Sequence, residues 1–123
     1  MDHRRELGNK GESLAGEFLR AKGLEILETQ YKLPFGEIDL VCRDGDEVVF
    51  VEVKTRTTPT YGYPEDSVTP QKIKHLLRVA QAYLEAHAQE DVSWRIDVVA
   101  IEQHLTPSRI THIEHIDIPE AFW

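Results

Sequence analysis

Two carboxylates and a lysine stand close together in the segment GEIDLVCRDGDEVVFVEVKTR, residues 36–56. The segment predicts two strands joined by a tight turn, with Asp39 on the first strand and Glu52 and Lys54 on the second. Side chains alternate across a strand, so Glu52 and Lys54 share one face. Carboxylates on adjacent strands can hold a divalent cation, and a nearby ammonium group can stabilise charge that builds on a phosphate under attack by water. Asp39, Glu52 and Lys54 are therefore candidate catalytic residues for phosphodiester hydrolysis.

The alternative interpretation is an ordinary ion pair at the edge of the sheet, formed by Lys54 with Glu52 or with Asp39. A second acid on the first strand favours the metal site. Glu37 shares the face of Asp39, opposite Ile38 and Leu40. Glu37 is a third ligand, an assisting base or a cap of a neighbouring backbone group, and these three roles stay open.

Glu17 is a further candidate ligand, on the first predicted helix. It lies three residues after Leu14 and four before Ala21, at the margin of the apolar stripe, where a carboxylate can lean toward the sheet. A solvated position on the flank of the helix is the alternative. Mg²⁺ prefers a few carboxylates together with waters and phosphate oxygens, and Mn²⁺ fits the same set. The predicted cofactor is Mg²⁺ or Mn²⁺, and the predicted ligands are Asp39, Glu52, Glu17 and Glu37.

Basic and aromatic side chains around this segment are candidates for contacts to nucleic acid. The candidate phosphate contacts are Lys32, Arg56, Lys72 and Lys74, each of which has simple solvation as its alternative. Tyr61 and Tyr63 lie in a predicted loop over residues 55–69, which is long for a compact domain. They can stack on bases, or pack locally against their own loop.

The histidines and Asp97 have simpler interpretations. His112 and His115 are three residues apart on a predicted strand, so they face opposite ways and do not form a ligand pair. Asp97 lies inside an apolar strand with Arg95 on the same face, which predicts an Arg95–Asp97 ion pair.

The elements that must position these residues follow from periodicity and turn chemistry. Asn9 followed by Glu12 is typical of a capping pair that opens a helix, and a second helix begins at Thr69 and Pro70. Strands are predicted over residues 24–33, 37–42, 47–54, 95–102 and 110–116. The order α-β-β-β-α-β-β predicts an α/β fold with a mixed central sheet flanked by helices, in which a three-stranded meander is followed by a helical crossover.

Length and composition limit the classes of protein to which the chain can belong. Its 123 residues, 41% of them hydrophobic, predict one domain over residues 1–123. The sequence has no apolar stretch of membrane-span length and no segment typical of a signal peptide. The single Cys42 excludes an internal disulfide and a cysteine cage for a metal. A reducing, cytoplasmic location is the simplest expectation.

The net charge of −8 argues at first against a nucleic-acid partner. The charge is unevenly distributed, however, because residues 1–80 carry a net charge of −2 and residues 81–123 carry −6. The part that holds the candidate site is thus nearly neutral, and a bound cation would offset some of its acids. We expect binding to a phosphate backbone to be weak and sensitive to salt.

These segments together resemble a known family. GEIDLV at 36–41, VFVEVKTR at 49–56, the helix with Glu17 and the strand RIDVVA at 95–100 resemble the bacterial YraN-like proteins. That family is similar to the PD-(D/E)xK, or restriction-endonuclease-like, superfamily, and its architecture is similar to that of archaeal Holliday-junction resolvases. The resemblance covers about residues 8–101.

The resemblance implies a restriction-endonuclease-like fold and a nuclease core that depends on a divalent metal. Asp39, Glu52 and Lys54 match the catalytic motif of the superfamily, and Glu17 matches the helical acid of resolvase-like members. One departure is Gln30-Tyr31-Lys32, where relatives commonly have Asn-Tyr-Arg; a lysine there loses the two-pronged contact that arginine makes with phosphate.

The predicted function is a Mg²⁺- or Mn²⁺-dependent endonuclease that acts on nucleic acid, with DNA, including branched DNA, as the expected substrate. The resemblance also makes a homodimer a candidate assembly, because resolvase-like enzymes are usually dimeric and two strands need two cuts. The alternative is a module that binds nucleic acid or protein without catalysis while retaining the nuclease fold.

Overall fold

A computed structural model describes residues 3–59 and 68–122. Its elements follow the predicted order and confirm the predicted fold class. They are α1 (His3–Ala21), β1 (Glu25–Leu33), β2 (Gly36–Asp44), β3 (Glu47–Arg56), α2 (Pro70–Ala86), β4 (Trp94–Glu102), β5 (Arg109–Ile113) and a short 3-10 helix at Glu120–Phe122. Tyr61 and Tyr63 lie outside the described residues, so their predicted contacts to bases stay predictions.

The five strands form one mixed sheet in the order β1-β2-β3-β4-β5. The first three strands pair antiparallel, β4 pairs parallel with β3 after the crossover through α2, and β5 returns antiparallel to β4. A parallel pair requires a crossover of this kind. The predicted meander followed by a helical crossover is confirmed.

The two helices cover opposite faces of the sheet. The cluster on the α2 face includes Phe50 and Ile96, and the cluster on the α1 face includes Val51 and Val99, all four of them fully buried. β3 and β4 are therefore apolar on both sides, which explains their nearly continuous hydrophobic runs. No helix among residues 3–59 and 68–122 has the length and apolar character needed to cross a membrane.

Helix α1 begins earlier than the sequence predicts. It starts at His3 rather than at a capping pair formed by Asn9 and Glu12, so that prediction is wrong. Gly11 is buried in the helix, and a Cβ there would overlap the hydroxyl group of Thr55 on β3. This close approach to the sheet places Glu12 beside the ends of the strands.

Helix α2 begins as predicted. Thr69 caps it with extended backbone and Pro70 is its first residue. Thr69 Oγ1 accepts a hydrogen bond from the backbone N–H of Lys72 at 3.2 Å. Lys72 thus lies in the first turn of the helix.

Strand β2 separates from β3 part-way along its length. Backbone pairing between them ends at Leu40 and Val51, although β3 continues beside β4 as far as Arg56. The alternation of β2 side chains also changes phase here, since Ile38 joins the α2-face cluster and Leu40 the α1-face cluster. The prediction that these two share a face is therefore wrong. The separation of the strands opens a fork at Asp39.

A buried polar network stands away from this fork, under the end of α1. The predicted Arg95–Asp97 pair is confirmed, with Arg95 Nε 3.0 Å from Asp97 Oδ1. His112 Nε2 lies 2.7 Å from Asp97 Oδ2, and His112 Nδ1 lies 2.7 Å from Lys22 Nζ. Because a lysine ammonium only donates, His112 accepts at Nδ1 and donates its Nε2–H to Asp97. The sequence showed no sign of this role for His112, because its side chain is buried only by the pairing of β5.

Candidate metal centre

Three carboxylates meet at the fork between β2 and β3. Glu12 of α1 and Glu37 and Asp39 of β2 each place an oxygen within 4.8 Å of the other two. Gln30 of β1 adds a hydrogen bond from its Nε2 to Glu12 Oε2 at 3.0 Å. The candidate centre therefore draws its acids from a helix and a strand, and a neighbouring strand orients one of them.

Asp39 is fixed by the end of the strand pairing. Its Oδ2 accepts a hydrogen bond from the backbone N–H of Val53 at 2.8 Å. A buried backbone donor needs an acceptor, and the Asp39 side chain supplies one where the β2 backbone has turned away. The fork thus holds the Asp39 carboxylate in the plane between the two strands.

Glu52 approaches the same fork from the α2 side of the sheet. It is only 4% exposed, and its Oε1 lies 3.7 Å from Lys54 Nζ and 3.4 Å from Lys72 Nζ. The predicted Glu52–Lys54 proximity is therefore present, and Lys72 of α2 joins it. Glu52 does not belong to the group formed by Glu12, Glu37 and Asp39; it faces that group from the other side of the sheet.

The acids of the centre raise one another's proton affinity. Burial and the nearby charge of Asp39 raise the pKa of Glu52 to about 7, against the opposing effect of Lys72 and Lys54. Burial and the same Asp39 charge also raise the pKa of Glu12. Carboxyl groups with raised pKa values that converge in a cleft are typical of a functional site. A bound cation would offset the repulsion between Asp39 and these two glutamates.

Glu17 is not brought to this group, and Glu12 is there instead. Glu17 is exposed on α1, two residues beyond the buried Ala15. Two residues correspond to about 200° around a helix, so Glu17 faces away from the sheet. Glu12 lies three residues before Ala15 and borders the buried side. The sequence did offer evidence for Glu12, because it lies one helical turn before Ala15. That position was instead interpreted as part of a capping pair with Asn9.

The candidate phosphate contacts are spread around the fork. Lys32 Nζ is 3.9 Å from Glu37 Oε2 and its side chain is 65% exposed. Arg56 ends β3 and is half-buried. Lys74 is exposed and lies beside Leu77 and Phe122, on another side of α2 from Lys72. The structure thus brings Lys72 to the acids and places Lys32 at the rim, while Lys74 lies apart from them.

A cleft of about 330 Å³ opens beside the carboxylates. Glu12, Ser13 and Arg20 line it from α1, and Thr29 and Gln30 line it from β1. Its lining is mostly polar, with Ile26 and Leu40 as apolar members, and it reaches the three-carboxylate group through Glu12. The set of oxygen donors fits Mg²⁺ or Mn²⁺, because hard cations bind carboxylates and keep other positions for water or phosphate.

Comparisons with known proteins give the family of the chain. The model of the "Uncharacterised protein family UPF0102" matches residues 11–101, which include Glu12, Asp39, Glu52 and Lys72. The chain belongs to the UPF0102 family. Membership confirms the predicted resemblance, since UPF0102 is the YraN family and lies in the restriction-endonuclease-like superfamily.

Individual UPF0102 proteins are similar over nearly the whole chain. A UPF0102 protein of Syntrophomonas wolfei is 46% identical over 109 residues, which cover 89% of this chain and 95% of the relative. A UPF0102 protein of Dehalococcoides mccartyi is 41% identical over 113 residues, which cover 92% and 93%. Their names state no activity.

Proposed function

We propose that the protein is an endonuclease that hydrolyses phosphodiester bonds with the help of a divalent cation. DNA, including branched DNA, is the proposed substrate, and the cytoplasm the proposed location. The single observation that supports this function most is the fork. Glu12, Glu37 and Asp39 converge on one side of it. On the other side, the carboxylate of Glu52 contacts the ammonium groups of Lys54 and Lys72.

The carboxylates would hold the cation. Asp39 is the central ligand, because the Val53 N–H fixes it and it lies beside both Glu12 and Glu37. A bound Mg²⁺ or Mn²⁺ would supply polarisation of the phosphate and a lower pKa for a water molecule. Neutralising the acids would also let the anionic phosphate enter.

Lys54 has the position of a group that acts on the phosphate itself. It lies two residues from Glu52 on the same face of β3 and is only half-buried. An ammonium group next to the attacked phosphate stabilises the negative charge that increases in the transition state. Lys54 therefore orients the phosphate and stabilises its developing charge.

The test is a cleavage assay on labelled single strands, duplexes, flaps, four-way junctions and RNA. Wild type is compared with Asp39→Asn and Lys54→Ala, each with Mg²⁺, with Mn²⁺ and with chelator. We expect metal-dependent cleavage by wild type and a loss of at least about 100-fold in both variants, the scale for removing one group that stabilises the transition state. Sedimentation of the protein with a junction substrate tests the proposed homodimer.

Two results would count against the nuclease. Cleavage that persists in both variants would identify a contaminating enzyme. Binding of nucleic acid without cleavage by wild type, unchanged in Asp39→Asn, would instead support the non-catalytic module.

A further inference from the structure

Lys72 links helix α2 to the acidic fork, although it lies 20 residues along the chain from Glu52. Its Nζ is 3.4 Å from Glu52 Oε1, nearer than Lys54 Nζ, which is 3.7 Å from the same oxygen. The backbone of Lys72 is also held, because its N–H donates to Thr69 Oγ1. The second ammonium group at Glu52 therefore comes from the first turn of α2.

Glu52 lies outside the group of Glu12, Glu37 and Asp39, but it faces the same fork and the charge of Asp39 acts on it, so we take Glu52 as a further ligand of the cation. A divalent cation at Glu52 and the ammonium group of Lys72 would repel each other and compete for the same carboxylate. Glu52 is 5% exposed in its side chain and cannot turn to solvent, whereas the Lys72 side chain is 40% exposed. Lys72 is thus the partner that can leave.

A substrate phosphate offers Lys72 a new partner. The lysine stem is flexible and its head group is a compact charge with three donors, so it can exchange a carboxylate for a phosphate. Such an exchange would keep the ammonium group paired while it frees Glu52.

We propose that Lys72 couples metal binding to nucleic-acid binding: it pairs with Glu52 in the free protein and moves to a substrate phosphate when a divalent cation takes Glu52. The inference rests on the proposed nuclease function. Because linkage between two ligands is reciprocal, nucleic acid then strengthens metal binding and metal strengthens nucleic-acid binding. Lys72 is a positioning residue for the metal and a phosphate contact for the substrate.

The experiment compares Lys72→Met and Lys72→Arg with Lys22→Met as a matched control. Lys22 also pairs with a glutamate, with Nζ 3.6 Å from Glu114 Oε1 and a side chain 38% exposed. Its other contact, to His112 Nδ1, belongs to the polar network away from the fork, so the unfolding midpoint of Lys22→Met is measured alongside. Lys22 directly follows the last residue of α1, ten residues beyond Glu12, so it lies about 15 Å from the fork. Calorimetry measures Mn²⁺ binding to the free protein. Fluorescence anisotropy measures binding of a labelled duplex at several salt concentrations, with Ca²⁺ in place of Mg²⁺ and again with chelator, and the duplex is recovered intact.

The proposal predicts changes of opposite sign in Lys72→Met. At about pH 8.5, above the pKa of about 7 that burial and Asp39 give Glu52, the free protein should bind Mn²⁺ about three- to tenfold more tightly, because a competing positive charge has gone. Duplex binding with Ca²⁺ should weaken, and the slope of log K against log salt should fall by about 0.9, the value for one phosphate contact. In chelator this difference should shrink, because Lys72 of the wild type then stays on Glu52. Lys72→Arg should keep most of the duplex affinity, and Lys22→Met should show none of these changes.

Several results would overturn the coupling. Losses of both metal and duplex affinity in Lys72→Met, with a lowered unfolding midpoint, would show a merely structural role. Equal effects in Lys22→Met would show a general effect of charge. If wild type cleaves DNA and Lys72→Met matches it in metal affinity and salt slope, the coupling is wrong while the nuclease stands. If wild type neither binds nor cleaves any substrate, both are wrong.

Discussion

Replacing Glu52 with glutamine should stabilise the metal-free protein at pH 8. Burial and the charge of Asp39 raise the pKa of Glu52 from an ordinary 4.5 to about 7. Between these values the folded protein holds a proton on Glu52 that the unfolded chain has released, so stability falls as the pH rises through this range. A difference of about 2.5 in pKa corresponds to about 3 kcal/mol of unfolding free energy by pH 8. Glutamine has the same shape and does not ionise.

The assay is denaturant unfolding followed by circular dichroism at several pH values, with chelator present. Glu52→Gln and wild type should agree near pH 4, and the variant should be more stable by about 3 kcal/mol at pH 8. This figure already includes the loss of the two ion pairs, because Lys72 and Lys54 both lower the pKa of Glu52. Mg²⁺ at pH 8 should stabilise wild type more than the variant. Parallel stability curves for the two proteins from pH 4 to pH 8 would refute this account of Glu52.

Three further predictions concern other parts of the molecule. Asp97→Ala should cost about 2–3 kcal/mol of unfolding free energy, because the buried His112 side chain and the backbone N–H of His115 lose their acceptor. Arg95 keeps Glu47 and Asp44 as partners. A cost below about 1 kcal/mol would contradict this. Burial would raise the pKa of Asp97, but hydrogen bonds from His112 and Arg95 hold it below its ordinary value, so its contribution should be present at neutral pH and disappear in acid titrations of stability. Gly11→Ala should destabilise by about 1–3 kcal/mol, since the new Cβ overlaps the Thr55 hydroxyl. A Cβ added at Gly16 would have its nearest neighbouring atom 3.9 Å away, so Gly16→Ala should be neutral or stabilising. Thermal melts of both variants measure the two effects. Glu12→Gln should weaken Mn²⁺ binding at least about tenfold in calorimetry, whereas Glu17→Gln should not; the reverse result would restore Glu17 as the helical ligand.

The sequence by itself determined the strands and the order of elements. Alternation with period two placed Glu52 and Lys54 on one face of β3, and the Asp-Gly turn placed Asp39 on the strand beside it. These relations hold over a few residues, so local backbone geometry is enough to set them. The start of α2 at Thr69 and Pro70 could be predicted for the same reason, since capping depends on neighbouring residues.

Tertiary structure alone decided which side chains meet at the fork. The sequence placed Glu17 at the margin of the apolar stripe of α1, whereas the structure turns Glu17 to solvent and brings Glu12 to the fork, where the helix lies against β3 at Gly11 and Thr55. That contact joins parts of the chain 44 residues apart. Nothing in the local pattern of either segment specifies it.

The place of Lys72 likewise depends on the crossover. Its helix position was predictable, but its contact with Glu52 needs α2 to return over the sheet with its first turn above the end of β3. The separation of β2 from β3 at Asp39 is likewise a long-range feature, and it coincides with the packing of Ile38 and Leu40 on opposite faces of the sheet. Local periodicity sets which residues can face a common side. Long-range packing then sets which of them come within bonding distance, because that distance depends on how whole elements fit together.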